Sequence, residues 1–177
     1  MIIMYLFLSL NKIMIELLDK SHNRNNFDCG KELLNNYLKY QAGQDVKRKL
    51  SACFVLSENK NIQGFYTLSN YSIPLSYFPE QIQKKLPISY ISIPTTLLGR
   101  LATDRKYQGQ GMGKILLIDA LKRSFENSYK IGSFAVVVDP IDEDAEGFYK
   151  KYNFIKLPDS GKMFIAMKTL FELFKSE

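Results

Sequence analysis

The sequence predicts an α/β (α+β) fold in one domain, with a mixed central sheet and flanking helices. Two observations support this prediction: strand-like and helical runs alternate in the second half of the chain, and the first half contains a hairpin pattern. Alternation of this kind builds parallel strands through crossover helices. The length of 177 residues, with 46% hydrophobic and 24% charged residues, suits one globular domain. We therefore expect residues 1–177 to form one domain.

The first half of the chain is predicted to begin with a strand at 13–18 and a polar turn that includes His22, which we expect to be solvated. A helix is predicted next, because residues 28–30 supply helix-start signals and apolar residues recur after them at helical spacing. These residues are Leu33, Leu34, Tyr37, Leu38 and Ala42. The strand-like runs 52–56 and 64–68 then predict an antiparallel hairpin.

Prolines interrupt the middle of the chain between residues 71 and 94, around a short helical turn at 80–85, and this segment could border a substrate groove. The second half then alternates regularly. The predicted strands are 95–103, 134–138, 154–157 and 162–167, and the predicted helices are 111–125 and 143–152. Asn153 follows the last helix at a position where a left-handed residue commonly ends a helix.

Composition and charge limit the classes of function. The net charge of +6 favours polyanionic ligands such as RNA, DNA or phosphorylated cofactors. Two cysteines, Cys29 and Cys53, indicate a reduced, cytoplasmic setting and no structural metal site. The apolar residues 1–10 are about half the length needed to cross a bilayer, so no membrane association is expected. Residues 1–13 are interpreted as a loosely attached or non-native extension.

The strongest chemical signal is the segment 105–114, R-K-Y-Q-G-Q-G-M-G-K, between a predicted strand and a predicted helix. Its alternating glycines allow backbone amides to face an anion, and the helix N-terminus and basic residues add positive potential. A Walker A loop is excluded because Gln108 and Ile115 stand where it needs Gly and Ser or Thr. The dinucleotide pattern fails because Lys114 or Leu116 would occupy its third glycine position. A glycine turn that only allows close packing remains the structural alternative.

The pattern Gln108-x-x-Gly111-x-Gly113 resembles the pyrophosphate-binding signature of the GNAT acyltransferase superfamily. The segment 142–154 is similar to a later helix of that superfamily, although Asp142 and Asn153 stand where Asn and Gly are more usual. The resemblance covers about residues 95–168 and implies acetyl-coenzyme A as co-substrate, with its pantetheine between two splayed parallel strands. The coenzyme-binding residues that it implies are Leu101, Ala102, Thr103, Gln108, Gly109, Gln110, Gly111, Met112, Gly113 and Lys114.

A narrower resemblance covers most of the chain from about residue 13. The segments F-D-C-G at 27–30, L-N-N-Y-L at 34–38, G-F-Y-T-L at 64–68 and L-G-R-L-A at 98–102 resemble the GNAT toxins of bacterial type II toxin–antitoxin systems. This resemblance implies acetylation of the α-amine of aminoacyl-tRNA, a block of translation, a ribbon-helix-helix antitoxin and a homodimer. The sequence Val138-Asp-Pro departs from the small or His-containing strand end that is more usual in these toxins, so the identity of the acetylated aminoacyl group is not assigned.

Acyl transfer to such an amine requires a proton donor for the thiolate and stabilisation of the oxyanion, but no strong protein base. An α-amino group has a pKa of about 7.7–8.0, which an adjacent ester lowers, so no strong protein base is required. Tyr149 is the predicted catalytic residue, because a protonated phenol can donate to the departing thiolate. Backbone amides near 101–103 could polarise the thioester carbonyl.

Other interpretations remain open for these residues. Tyr149 can be a core aromatic of an amphipathic helix, and the carboxylates of Asp142, Asp144 and Glu146 are ordinary partners of a helix N-terminus. The candidate tRNA contacts are Lys47, Arg48, Lys49 and Arg100, which can equally be solvated surface charges. An N-acetyltransferase for a small-molecule or protein amine and a non-enzymatic coenzyme A sensor are the alternative functions.

Overall fold

The computed structural model describes residues 14–175 and confirms the α/β class with a mixed sheet and flanking helices. The predicted extension at 1–13 lies outside the described residues. The strands are β1 (Ile15–Leu17), β2 (Ala52–Glu58), β3 (Asn61–Pro74), β4 (Ser92–Thr103), β5 (Ala135–Val138), β6 (Ile155–Lys156) and β7 (Met163–Ala166). Their order in the seven-stranded sheet is β1-β2-β3-β4-β5-β7-β6.

The helices are α1 (Glu32–Asn36), α2 (Ala42–Lys47), α3 (Glu80–Gln83), α4 (Met112–Ser128), α5 (Glu143–Lys150) and α6 (Met167–Lys175). No helix in the described part of the chain is both long and apolar enough to span a membrane. The described residues form two compact units, one containing residues 14–69 together with Arg100–Lys122, the other containing Asn70–Gly99 and residues 123–175.

The first unit is built on the predicted antiparallel hairpin. β2 pairs with β3 in the register Phe54↔Tyr66, and β1 pairs with the other edge of β2. The hairpin turn uses Asn59 and Lys60, both with positive φ, which suits the twist of a tight hairpin. A core cluster that includes Phe27, Leu38 and Phe65 packs against these strands. The hairpin prediction is therefore confirmed, with longer strands than expected.

The predicted first helix is present but is interrupted by a π-helical turn, Tyr37–Gln41, between α1 and α2. Leu34, Leu38 and Ala42 are buried on its inner face. Leu33, which the helical spacing groups with these residues, does not lie on this face and is 72% exposed. Successive helical residues are about 100° apart, so a residue next to Leu34 points well away from the core.

The second unit contains the parallel strand pair that the sequence predicts. β4 and β5 are parallel in the register Thr96↔Val136 to Leu98↔Val138, whereas β5 and β7 are antiparallel. All four residues of β5 are buried, as expected for a strand covered on both faces. Asn153 has a φ of 64°, so the predicted left-handed helix end is confirmed.

The sequence analysis did not predict the final helix α6. Its apolar residues Met167, Leu170, Phe171 and Phe174 recur at helical spacing, so the signal was present. The predicted strand 162–167 ran over the first residue of α6, because Met167 continues the apolar run of β7.

Candidate active site

Residues 108–114, which we call the glycine loop, follow β4 and include the first residues of α4, and they have the backbone conformation that an anion site requires. Gly109 has a φ of +75° and Gly111 a φ of +82°, and no atom lies within 4 Å of the position that a Cβ would occupy at either residue. Conformation rather than crowding therefore demands glycine at both positions. α4 begins at Met112, and the first N–H groups of a helix have no intrahelical acceptor. These groups and the helix dipole favour a phosphate at this end of α4.

The side chain of Gln108 makes hydrogen bonds to the protein's own backbone. Its Nε2 donates hydrogen bonds to the carbonyl oxygens of Cys29 and Thr103, both at 3.0 Å. Gln110 makes a similar bond from Nε2 to the carbonyl of Lys106 at 2.9 Å. Both glutamines therefore hold the shape of this segment through their side chains, and the glycines Gly109 and Gly111 are exposed.

The carboxylate of Asp104 fixes the turn before the loop, and the sequence analysis missed this residue. Asp104 is 5% exposed, and its Oδ1 accepts from the N–H of Lys106 at 2.9 Å. This bond caps the short 3₁₀ turn Arg105–Tyr107. An Asp directly after a strand and two residues before an N–H that it can cap is a recognisable signal of such a turn.

The coenzyme-binding residues predicted on β4 are the last residues of that strand. Ala102 is buried in the core cluster of the first unit, whereas Leu101 and Thr103 are half-buried. β4 continues to Thr103, beyond Leu98 where its parallel register with β5 stops. β5 itself ends at Val138, so its pairing with β4 does not reach the last residues of β4.

The positively charged side chains around the loop differ in their exposure and in their ion pairs. Arg105 and Lys106 are exposed, and Lys114 is half-buried in the first turn of α4. The guanidinium of Arg105 lies 3.5 Å from Oδ2 of Asp28, so part of its charge is balanced within the protein.

Tyr149 lies near the C-terminal end of α5 in the second unit. The helix starts at Asp142, whose Oδ1 accepts from the N–H of Ala145 at 2.9 Å. The ring of Tyr149 is 7% exposed and packs against Phe148 and Phe154, with ring centroids 5.3 Å and 5.2 Å away. Burial raises the pKa of the Tyr149 hydroxyl above its usual range, so the phenol stays protonated at neutral pH.

The acidic residues of α5 do not form a catalytic cluster. Asp142 is a helix cap, and Glu146 pairs with Lys150 at 2.5 Å and with Lys156 at 2.8 Å. The hydrogen bonds from Lys150 and then Lys156 lower the pKa of Glu146. Within residues 14–175, no group of three or more His, Cys, Asp and Glu side chains is arranged to hold a metal ion.

His22 is buried, so the prediction of a solvated turn residue is wrong. Its Nε2 donates to Oε1 of Glu16 at 2.9 Å, and its Nδ1 accepts from the N–H of Asp19 at 3.1 Å. The side chain is 0% exposed and serves the turn after β1, because both ring nitrogens have partners there. Polar neighbours in the sequence suggested solvent, but the hydrogen bonds compensate for burial.

The candidate tRNA contacts lie in two environments within the first unit. Lys47, Arg48 and Lys49 are exposed at the end of α2, and Lys49 has a φ of 60°. Arg100 is half-buried, with its guanidinium carbon 3.6 Å from the ring centroid of Tyr37. The Tyr37 hydroxyl donates to Oδ2 of Asp45 at 3.1 Å, which links Arg100 to the helix that presents the three exposed charges.

Comparison with known proteins gives a consistent result. The family model of the acetyltransferase (GNAT) domain matches residues 49–156. A tRNA-acetylating toxin of Mycobacterium tuberculosis is 33% identical over 143 residues, which cover 80% of this chain and 84% of the relative. The probable toxin TacT of Sinorhizobium fredii is 30% identical over 170 residues, covering 90% and 93% of the two chains.

Solved structures of similar fold include ligand and partner complexes. AtaT complexed with acetyl-methionyl-tRNAfMet is 32% identical with a TM-score of 0.85, covering 92% of this chain and 99% of that one. AtaTR bound with AcCoA is 31% identical with a TM-score of 0.81, covering 93% and 99%. A tyrosine-to-phenylalanine mutant of AtaT bound to the C-terminus of the antitoxin AtaR is 28% identical with a TM-score of 0.80, covering 94% and 99%.

Proposed function

Because the chain belongs to the GNAT acetyltransferase family, we propose that it transfers the acetyl group of acetyl-coenzyme A to the α-amine of aminoacyl-tRNA and acts as a toxin that blocks translation. The whole chain then serves as one acetyltransferase domain. The reaction joins the amine nitrogen to the thioester carbon and breaks the carbon–sulfur bond. The nitrogen loses one proton and the departing thiolate gains one, so the products are an amide and the free thiol. An acetylated α-amine can no longer attack a peptidyl ester, so translation stops.

The observation that carries the coenzyme assignment is the conformation of the glycine loop. Two residues with positive φ precede a 17-residue helix, and this arrangement presents backbone N–H groups to an anion. The pyrophosphate of acetyl-coenzyme A is such an anion, and relatives of this fold include an AcCoA-bound structure. The cradle consists of the backbone from Gly109 to Lys114, with Lys114 and Lys106 supplying charge.

Tyr149 is assigned as the general acid that protonates the coenzyme thiolate. Its burial keeps the phenol protonated at neutral pH, so a proton is available when the thiolate departs. No protein base is assigned, since an ester-bound amino acid is partly neutral at pH 7. Metal is not required for any step of this scheme.

The acceptor assignment is supported by charge and by relatives. The chain carries a net charge of +6, and Lys47, Arg48 and Lys49 are exposed together. A relative acetylates tRNA, and AtaT is known in complex with an acetylated aminoacyl-tRNA. An antitoxin is the expected protein partner, as for AtaT with AtaR. We further assign it to the ribbon-helix-helix class, expect a homodimer, and assign the reaction to the cytoplasm, where aminoacyl-tRNA is used.

The test is acetyl transfer from labelled acetyl-coenzyme A to a bulk pool of charged tRNA by the full chain. We expect label on charged tRNA, and none on the same pool after mild alkaline deacylation or after prior chemical acetylation of its α-amines. Induction of the protein in cells should arrest growth. Label that appears on a free amine or a protein, with none on charged tRNA, would replace this acceptor with the broader acetyltransferase function.

A further inference from the structure

The turn at residues 27–30 is bonded directly to the segment that precedes the glycine loop. The N–H of Asp28 donates to Oδ2 of Asp104 at 3.0 Å, and the N–H of Arg105 donates to the carbonyl of Asp28 at 2.8 Å. Gln108 adds the bond to the carbonyl of Cys29 described above. We call this set of three hydrogen bonds the turn–loop contact. It joins residues 76 or more positions apart in the chain.

The turn at residues 27–30 is fixed both by the packing of Phe27 in the core and by hydrogen bonds from α1. Phe27 is 1% exposed and packs edge-on against Phe65 in the core, with ring centroids 5.4 Å apart. Asn35 of α1 bonds the turn twice: its Oδ1 accepts from the N–H of Cys29 at 2.9 Å, and its Nδ2 donates to Oδ1 of Asp28 at 2.8 Å. The N–H of Gly30 and then the Asn35 amide lower the pKa of Asp28, so its carboxylate stays ionised.

Asp104 connects this turn to the loop through both of its carboxylate oxygens. Oδ2 accepts from Asp28 in the turn, while Oδ1 accepts from Lys106 at the start of the loop segment. Because the carboxylate is 5% exposed, loss of either bond leaves a buried polar group without its partner.

A backbone anion site depends on such support. Glycine has more conformational freedom than any other residue, so a loop with glycines at 109, 111 and 113 does not hold its own shape. Donors that are already in place bind an anion without the entropic cost of ordering them. The turn–loop contact fixes the chain at Asp104, Arg105 and Gln108, directly before the glycines begin.

We propose that Asn35 and Asp104 are positioning residues for acetyl-coenzyme A, acting through Asp28 and Gln108 on the glycine loop. Affinity for the coenzyme is then set in part by α1, far from the loop in sequence. The proposal rests on the proposed function only in taking acetyl-coenzyme A as the ligand of the loop.

The experiment compares the full-length parent with Asp104→Asn and Asn35→Ala. Asp104→Asn keeps the size of the side chain but turns an N–H₂ group toward a backbone donor. Asn35→Ala removes both bonds to the turn without touching the loop. Asp45→Asn is the matched control, because Asp45 is a half-buried carboxylate of the same unit that accepts from Tyr37. Calorimetry measures the Kd for acetyl-coenzyme A, and amide hydrogen exchange compares the peptide 104–114 with β5.

We expect the Kd to rise about tenfold to a hundredfold in both test variants, as for the loss of hydrogen bonds to a charged group. Exchange should accelerate in 104–114 and stay unchanged in β5, whereas Asp45→Asn should match the parent in both measurements. Folded test variants with a Kd within twofold of the parent value would overturn the proposal, and so would exchange that accelerates equally in β5. If Asp104→Asn does not fold, Asn35→Ala decides.

Calorimetry needs no acceptor, so this result is independent of the aminoacyl-tRNA assignment. A parent that binds acetyl-coenzyme A but labels no charged tRNA contradicts the proposed acceptor and leaves the positioning test intact. A parent that does not bind acetyl-coenzyme A overturns both.

Discussion

The contribution of the Tyr149 hydroxyl can be tested separately from that of its ring, because phenylalanine has the same ring without the hydroxyl. The ring packs with Phe148 and Phe154, and phenylalanine keeps this packing. Burial raises the pKa of the hydroxyl, so the phenol is protonated at neutral pH and its proton is available to the thiolate. Packing and proton donation therefore depend on different atoms of one side chain.

Tyr149→Phe should lower acetyl transfer by about a hundredfold to ten-thousandfold, the usual contribution of general acid catalysis. Its stability should change by less than about 1 kcal/mol, since only a hydroxyl is removed. Single-turnover transfer to charged tRNA and thermal unfolding measure the two effects. Tyr152→Phe on the neighbouring turn is the control and should leave transfer unchanged. Full activity in a folded Tyr149→Phe protein would exclude Tyr149 as the acid.

Gly111→Val should abolish tight binding of acetyl-coenzyme A. The reason is the φ of +82°, a region that β-branched residues strongly avoid, so the loop must change its shape. Gly132→Val is a suitable control, because the space around its Cβ is also open and its φ is not in the left-handed region. Calorimetric titration of both variants tests the prediction. Equal affinity in the two variants would remove the loop from the coenzyme site.

The end of α2 presents three exposed positive charges to solvent. Replacing Lys47 and Arg48 with Gln and Lys49 with Asn should weaken binding of charged tRNA and reduce its salt dependence, since each lost phosphate contact lowers the slope of log K against log salt by about 0.7–0.9. Asn is chosen at 49 because it tolerates the φ of 60°.

The control for this charge variant replaces Lys20, Lys130 and Lys168, three exposed lysines outside α2, with Gln. Filter binding of charged tRNA at several salt concentrations distinguishes a local contact from a general effect of net charge. Identical losses in the two triple variants would mean that no specific contact exists at α2.

Elements with strong local signals could be predicted, and those defined by distant contacts could not. β5 reads as a short apolar run, and α5 has an N-terminal cap and a periodic apolar face, so both were predicted within two residues. The π-helical turn Tyr37–Gln41 has no comparable local signal, because it depends on how the segment fits its core. α6 was missed for a different reason: its helical pattern begins directly at the end of β7, with no turn between them.

The same distinction applies to the candidate site. The glycine loop and Tyr149 stand out because glycine spacing and helical periodicity are properties of neighbouring residues. Asn35 and Asp104 do not stand out, because no local pattern shows that Asn35 bonds the turn before α1 or that Asp104 bonds Asp28, which lies 76 positions away. The prediction for His22 is wrong for a different reason: its partners Glu16 and Asp19 are near in sequence, but its burial depends on how the turn after β1 folds.

Ionisation of buried and hydrogen-bonded groups links the stability of the folded protein to pH, both in the alkaline and in the acidic range. Burial raises the pKa of the Cys53 thiol to about 12, so the folded protein holds this proton more tightly than the unfolded chain does. That contribution is present below the usual thiol pKa and is lost as the pH rises through about 12. The Tyr149 hydroxyl acts in the same direction.

On the acid side the sign is reversed. Hydrogen bonds lower the pKa values of Glu16, Asp19, Asp28 and Glu146 in the folded state. The unfolded chain therefore binds more protons as the pH falls, and the stabilisation by these carboxylates is complete above their ordinary values of 3.8 and 4.5. It is lost as the pH falls through their lower folded values.

Thermal unfolding should therefore show a melting temperature that is nearly constant from pH 7 to about pH 5 and falls steeply below about pH 4. Asp28→Asn should lower the melting temperature at pH 7, because a neutral amide oxygen accepts more weakly from Gly30 and Asn35 than a carboxylate oxygen does, and because the ion pair with Arg105 is lost. The same variant should lose less on acidification, because one carboxylate with a lowered pKa is gone. Glu80→Gln, which breaks only an exposed pair with Lys84, should follow the parent curve. If Asp28→Asn and the parent fall in parallel below pH 4, the turn carboxylate does not contribute to acid sensitivity, and its hydrogen bonds are weaker than their geometry indicates.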